Sequence, residues 1–431
     1  MVVYVMNKNG QPLMPTTRFG KVRRLLNKNL AKVIKRCPFT IQLLYEATDF
    51  AQPISLGIDA GSKTVGTSAT TEDRELYASE VELRNDIVGN LSSRREYRRG
   101  RRYRKTRYRK ARFKNRKASK PSCWLSPSTR NKIDTHLTVI DKITKILPIS
   151  EIRVEVASFD IHKIKNPEIK GTEYQEGEQL DFWNVREYVL WRDNHTCKCC
   201  KGKSKDNRLN VHHIESRKTG GNAPNNLVTL CETCHNNYHQ GKTKLPKKIK
   251  RGISFKDAAF MSTMRWAFYN KVKEIYEGKN IPVYLTYGYI TKNTRIKNNL
   301  PKEHCVDAHC ISGHPNAMLL DNYYFERKVR CHNRQIHKLT INKGGYRKAN
   351  QADYEVYGFR LFDKVLFQNV ECFIFGRRTT GRMDVRKLDG EHINASAGYK
   401  NLKLLERSKH ILIERRKRSF LSTASGGVST F

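Results

Sequence analysis

Acidic residues are scarce in this chain: 41 Asp and Glu stand against 83 Lys and Arg, a formal charge of +42 over 431 residues. Such an excess repels itself and stabilises no fold, so it calls for a polyanion, and nucleic acid is the obvious one. Long apolar runs are lacking as well. No stretch approaches the roughly 18 residues of a membrane span, and Met1–Met6 is too short and uncharged to open a secretory leader, which leaves a membrane surface as the lesser anion. Cysteine is limited to 11 residues. Four of them fall in two CxxC pairs rather than in a secreted disulfide framework, which points to a reducing, cytoplasmic compartment.

A chain of this length exceeds one core and is expected to hold several domains, at roughly 150 residues each. Residues 1–50 alternate short apolar runs with basic and turn residues, a small αβ module in which Pro12, Leu13, Met14 and Pro15 are expected to form a turn. Residues 54–83 read as a β-meander over Ile54–Asp59, Val65–Thr70 and Glu75–Leu83, with Asp59 closing its first strand. From Arg94 to Lys117 come fifteen Lys or Arg and one acid, Glu96, with Tyr97, Tyr103, Tyr108 and Phe113 interleaved. As a helix this is about 36 Å of nearly unbroken positive charge. Its dominance by Arg favours bidentate phosphate contacts over a merely solvated or disordered run.

Ser, Pro and Lys mark a linker at 118–130, and Ile133, Leu137, Ile140, Ile143 and Leu147 give 131–147 a helical period. Ile152–Val156 reads as a strand carrying Glu155. A polar connector at 160–180 leads to a cysteine and histidine module, then to an amphipathic helix over 256–277 through Ala259, Met264, Trp266 and Val272. Val283–Tyr289 is expected as a strand, His304–Ser312 as a short helix, and short β runs follow from about residue 355. The Ser- and Gly-rich last dozen residues are expected to be disordered.

The module over 181–240 carries the clearest chemistry. Cys197 and Cys200 are separated from Cys231 and Cys234 by 30 residues, and four such thiolates can surround one zinc tetrahedrally. The gap is longer than the usual 15 to 20 or so residues of a zinc ribbon. It holds Val211, His212, His213 and Ile214, a Gly220–Gly221 turn, then Asn225, Asn226 and Leu227, none of which a purely structural ribbon needs. His235 follows Cys234 directly and His239 comes four residues later, on one helical face. Phosphodiester hydrolysis asks for a base to activate water and a divalent ion to stabilise developing charge, and this ββα arrangement offers both. Cys199 could displace Cys197 or Cys200 as a ligand, and His239 is open between supporting the site and lying on the surface.

Three acids, Asp59, Glu155 and Asp307, are distant in sequence but share contexts in which an unpaired carboxylate is costly. Singly each reads as an ordinary cap or ion-pair partner. Together they could supply the carboxylate cluster that clamps two ions in phosphoryl transfer. His304, three residues before Asp307 on the same helical face, could be a further ligand or the base.

The residues around His213 resemble the HNH nuclease family. That resemblance implies His213 as general base, His212 and His235 as metal ligands, and Asn226 as the residue that orients the loop carrying the base. The segments Ile54–Thr70, Ile152–Phe159 and Glu303–Ser312 look like the three split pieces of a RuvC nuclease, an RNase H-like fold, with Asp59, Glu155 and Asp307 as metal ligands beside His304. An HNH module between the second and third pieces, and an Arg-rich helix between the first and second, is the order of the IscB family, compact transposon-encoded relatives of the type II CRISPR effector nucleases. Gln11–Thr17 and Pro38–Leu43 look like that family's PLMP domain; Tyr357–Arg386 and Tyr399–Arg416 look like its target-adjacent-motif-reading β domain.

The resemblance implies an α/β multidomain chain with an RNase H-like split core and an inserted zinc-stapled ββα-metal domain. Its expected segments are a PLMP domain at 1–52, RuvC pieces at 53–92, 121–165 and 253–335, an arginine-rich bridge helix at 93–120, the HNH domain at 181–245, a target-adjacent-motif-interacting β domain at 340–418 and a disordered tail at 419–431. It implies a guide, omega RNA, gripped by Arg94, Arg95, Arg98, Arg99, Arg101, Arg102, Arg104, Arg107, Arg109 and Arg112, and a double-stranded DNA target read by pairing. The HNH site would cut the paired strand and the RuvC site the displaced one, with Mg2+ or Mn2+ at both and a structural Zn2+. A monomer on its RNA, cytoplasmic and with no membrane partner, is expected. No large helical recognition lobe is present, a role the RNA takes in this family. The alternatives are an HNH endonuclease that reads DNA without RNA, which leaves the RuvC pieces and arginine helix unexplained, and a nonenzymatic RNA-binding scaffold, against which the intact Asp59, Glu155, His213, His304 and Asp307 speak.

Overall fold

The computed structural model describes residues 2–102, 124–156, 168–171, 173, 177–217, 220–253, 255–330, 332, 334–336, 340–346 and 353–418. Two compact units emerge: Met1–Asn85 with Ala111–Ser158 and Phe260–Phe431, and Asp86–Lys110 with Phe159–Ala259.

The first unit begins with β1 (Val3–Met6), β2 (Pro12–Thr16), β3 (Ala31–Lys35) and β4 (Thr40–Leu43), ordered β2-β1-β4-β3. Helix Phe19–Asn27 packs Val22 against Val3, Val5, Ile41 and Leu43. Pro12, Leu13, Met14 and Pro15 are therefore strand, not the expected turn. Proline cannot donate to a ladder, but β2 lies at the sheet edge and faces only β1, where two prolines are tolerated.

A seven-stranded sheet forms the body of this unit. Its strands β5 (Ser55–Ala60), β6 (Thr64–Thr70) and β7 (Glu75–Glu82) are a true antiparallel meander. Strand β8 (Glu151–Glu155) then joins β5 in parallel. The next two strands, β9 (Leu209–His213) and β10 (Leu227–Cys231), belong to the second unit. Strand β11 (Val283–Thr286) adds to β8 in parallel, and β12 (Asn322–Lys328) to β7 in parallel. Five further strands make a separate antiparallel sheet ordered β16-β15-β14-β13-β17, comprising β13 (Lys364–Phe367), β14 (Val370–Arg377), β15 (Arg382–Arg386), β16 (His392–Gly398) and β17 (Lys403–Glu406). The last strand, β18 (Ile411–Lys417), returns to the large sheet beside β12, whose final order is β11-β8-β5-β6-β7-β12-β18. It thus lies outside the five-stranded sheet, although the resemblance groups it with the C-terminal β domain.

The central strands are apolar on both faces because both are covered. Helix Pro127–Thr144 is capped by Ser126, whose Oγ accepts from Thr129 N, and lays Ile133, Val139, Ile140 and Ile143 into the core beside Met264, Phe268 and Val272 of helix Lys256–Glu277. Each such aliphatic side chain contributes about 1.5–3 kcal/mol on burial. The other face takes helix His304–Ile311, and two glycines admit it: a Cβ on Gly57 would stand 2.0 Å from the Ala308 carbonyl oxygen, and one on Gly66 2.0 Å from that of His304. The end of β18 is locked by a fully buried pair, Arg418 donating to Glu75 Oε2 at 2.9 Å and Oε1 at 3.1 Å.

Two further expectations change. The strand anticipated over Val283–Tyr289 stops at Thr286, and a helix, Gly288–Lys297, follows; β-prone Tyr287, Tyr289 and Ile290 mask it in the sequence. The arginine-rich helix spans Ile87–Arg102, starting seven residues before Arg94, where Asn90 binds Asp86 through backbone and side chain. Arg94, Arg95, Arg98 and Arg99 on it are exposed. The continuation of that helix to Lys117, with Arg104, Arg107, Arg109 and Arg112, and the 419–431 tail lie outside the described residues. Among the described residues no helix is long and apolar enough to cross a membrane.

Candidate active sites

The first site is built on the β9–β10 hairpin and helix Glu232–His239. Antiparallel pairing sets Val228 opposite His212 and Leu227 opposite His213, so neighbouring histidines point to opposite faces of the ribbon. The four thiols of Cys197, Cys200, Cys231 and Cys234 come within 4.8 Å of one another, which suits one tetrahedral ion. Cys231 is also the N-cap of the helix, so this cluster fixes where the helix starts. Cys199 stands outside the group. Helix Val185–Arg192 braces the hairpin from behind, with Arg192 donating to the carbonyls of Pro224 at 2.9 Å and Leu227 at 2.8 Å.

On the other side of the hairpin His212, His235 and His239 bring ring nitrogens within 4.8 Å of one another, with 3.2 Å between Nε2 of His235 and of His239. His239 therefore joins the pair that the sequence singles out, and its i, i+4 spacing from His235 is the available signal. His212 is buried, and its Nε2 has no partner among the described atoms. Burial, then the neighbouring His235, His239 and His213, push its pKa down to about 4. An orphaned, neutral imidazole nitrogen facing two more is the donor set of a divalent cation.

His213 points away from that trio and its Nε2 lies 3.0 Å from Asn222 Oδ1. The loop after it is closed by Asn226, which is wholly buried. Its Oδ1 accepts from Glu215 N at 2.9 Å, and its Nδ2 donates to the carbonyls of Glu215 at 3.0 Å and Gly221 at 2.9 Å. A Cβ on Gly220 would meet Asn226 Nδ2 at 2.2 Å, so glycine is required there for the amide to enter the loop. Asn222 is not foreseen from sequence; nothing but its place in the loop marks it.

The second group lies in the first unit, where β5, β8 and helix His304–Ile311 bring Asp59, Glu155, His304 and Asp307 together. The glycine at position 66 pairs with Asp59 across the strands and lets the backbone of His304 rest on the sheet. His304 Nδ1 then reaches Asp59 Oδ2 at 2.6 Å, and this bond raises the His304 pKa. Arg295 Nε lies 2.8 Å from Asp307 Oδ1, and Thr291 donates to Glu155 Oε2 at 2.6 Å. Both come from the helix that sequence pattern misses. Burial, then the charges of Asp59 and Asp307, raise Glu155 to about 7 against the Thr291 hydrogen bond. Burial and Asp59 raise Asp307 as well. Both shifts have a neighbouring carboxylate among their causes, so these acids lie close enough to feel one another's charge.

A family model described as HNH endonuclease matches residues 197–241, and one described as RRXRR protein matches residues 3–177. The first covers the cysteine and the histidine cluster, and the hairpin and its helix are an HNH endonuclease domain. The second takes in Arg98, Arg99, Gly100, Arg101 and Arg102, which spell that pattern on the arginine helix. With an RRXRR segment ahead of an HNH domain, the chain is IscB-like.

No curated protein matches it significantly. Among solved structures, Streptococcus thermophilus Cas9 in complex with AGGA PAM aligns at 13% identity over 44% of this chain and 26% of that one, with a TM-score of 0.29. The same protein in complex with the AGAA PAM aligns at 12% identity over 61% and 32%, with a TM-score of 0.31. The chain thus spans a third or less of their length, and scores this low define no common fold.

Proposed function

We propose that this chain is an RNA-guided DNA endonuclease with two sites, the HNH site cutting the guide-paired strand and the acid site the displaced one. The observation that carries the reading is the HNH site itself: His212, whose Nε2 has no partner, His235 and His239 bring ring nitrogens together, while His213 stands apart on a loop closed by Asn226. His212, His235 and His239 would hold the cation. A bound cation there would stabilise charge on the phosphate and the leaving oxygen. His213 takes the proton of the attacking water, with Asn222 holding its ring and Asn226 holding its loop. Cys197, Cys200, Cys231 and Cys234 would hold a structural zinc.

Asp59, Glu155 and Asp307 would hold Mg2+ or Mn2+ at the second site. The RuvC assignment is supported by the order β11-β8-β5-β6-β7, in which the antiparallel strands β5, β6 and β7 are extended by the parallel β8 and β11, with an acid near the end of β5 and at the end of β8. There His304 orients Asp59 and is placed to exchange a proton. The exposed Arg94, Arg95, Arg98 and Arg99 offer phosphate contacts to an RNA.

The test is strand-resolved cleavage of a duplex matched to the RNA that copurifies from cells expressing the flanking sequence. His213→Ala should spare one strand and Asp59→Ala the other. Unchanged cutting of both by either variant would refute the corresponding assignment.

A further inference from the structure

Directly after the HNH helix the chain runs through residues 240–253 without a single acid, and this strap is built against the HNH domain rather than hanging from it. Its start is fixed by Lys242 N and Thr243 N, both donating to the carbonyl of Asn237. Leu245 and Ile249 pack into the apolar cluster around Cys197 and Cys231. The far end is tied to the loop that carries His213. Gly252 N donates to the Asn225 carbonyl at 3.1 Å, Asn225 Nδ2 to the Ile253 carbonyl at 2.5 Å, and the Arg251 guanidinium pairs with Glu215.

Pinning the apolar residues inward turns the rest outward. Lys242, Lys244, Lys247, Lys248 and Lys250 are all exposed, and none pairs with an acid among the described residues. Five like charges held on a short, anchored segment repel one another, and only an external polyanion relieves that cost. A solvated charge run needs no such anchoring, and the anchors are the cysteine cluster and the loop that carries His213.

We infer that this strap is the phosphate track of the HNH site, on which the backbone of the DNA strand to be cut lies as it enters His213. The inference rests on the nuclease reading of that site. DNA is the partner of choice because the strap is fastened to the catalytic loop itself, where the scissile phosphate must lie, and because unpaired lysines suit a repeating backbone rather than a single bound group.

The test is lysine acylation footprinting by mass spectrometry. The full-length His213→Ala protein is used with its copurified RNA, with and without a matched DNA duplex. The five lysines should lose reactivity at least about threefold when DNA is added. Equal reactivity with and without DNA would overturn the proposal, as would protection already complete with RNA alone.

A second variant, with all five lysines changed to Gln, should need at least about tenfold more enzyme for half-maximal cutting of the HNH strand. Its salt dependence should become shallower, by about 0.9 in log–log slope for each phosphate that the strap no longer neutralises. The plateau rate should change less. A defect confined to the plateau would mean that the strap only props the His213 loop. If the parent protein cuts no DNA, the nuclease reading fails, while the footprint still decides whether DNA lies on the strap.

Discussion

At the HNH site the environment pushes His212 and His235 toward the form that binds a cation, and at the acid site it pushes Glu155 and Asp307 away from it. Burial and neighbouring rings lower His212 to about 4, so its imidazole stays neutral and ready to coordinate. Burial and neighbouring carboxylates raise Glu155 to about 7, so the cation-free acid site tends to keep a proton where a ligand should be. Neutral imidazoles can crowd without repulsion, and the three histidines already stand within 4.8 Å of one another. Among the described residues the acids form no such group; His304 and Arg295 instead lean on Asp59 and Asp307 as counter-charges. The difference teaches that one site is assembled by its fold and its cysteine cluster, whereas at the other a cation would have to displace those counter-charges.

The largest expected effect separates the two sites by strand. Removing a general base typically costs a hundred- to ten-thousandfold or so. His213→Ala should lower cutting of the guide-paired strand by about that much on an end-labelled duplex and leave the other strand within about twofold. Asp59→Ala should do the reverse.

Next come the two glycines that admit catalytic groups. Gly66→Ala drives a methyl group into the His304 backbone and should shift that helix, at a cost of about 1–3 kcal/mol in stability, and lower cutting at the acid site alone. Gly220→Ala strikes Asn226 and should lower cutting at the HNH site alone. Should either change depress both strands equally, the supports of the two sites are not separate.

Acid pH sharpens the contrast more gently. As pH falls through about 7, Glu155 takes up its proton, so acid-site cutting should decline and be restored by added Mg2+. His212 remains neutral down to about 4 and should impose no matching loss over that range. A pH series at two Mg2+ concentrations, read strand by strand, checks this.

Stability carries the smallest effect. The folded Glu155 pKa lies above its ordinary 4.5, so its contribution is fully present below 4.5 and is lost as pH rises through about 7. Glu155→Gln escapes that loss, and in Mg2+-free buffer at pH 8 it should melt a few degrees above the parent in calorimetry. Equal melting temperatures would show that the carboxylate is not strained there.

Much of the first site is legible in the sequence because spacing carries it, whereas the acids of the second are singled out only through the family resemblance. The CxxC pairs, the His212–His213 doublet and the placement of Asp59 and Glu155 near strand ends all follow from local pattern. What escapes depends on partners distant in the chain. Pro12 and Pro15 are strand residues only because β2 is an edge. Thr291 and Arg295 gain meaning from Glu155 and Asp307, which nothing nearby announces. The Glu75–Arg418 pair joins residues 343 positions apart, and His239 takes its place only when the helix brings it to His212.

The most direct test of guided cleavage is to digest the copurified RNA from the intact particle and then add it back. Cutting of the matched duplex should vanish with the RNA, return with it, and follow the guide when the guide is changed. Cutting that persists without RNA, or ignores the guide, would contradict the account and leave an HNH endonuclease that reads DNA directly.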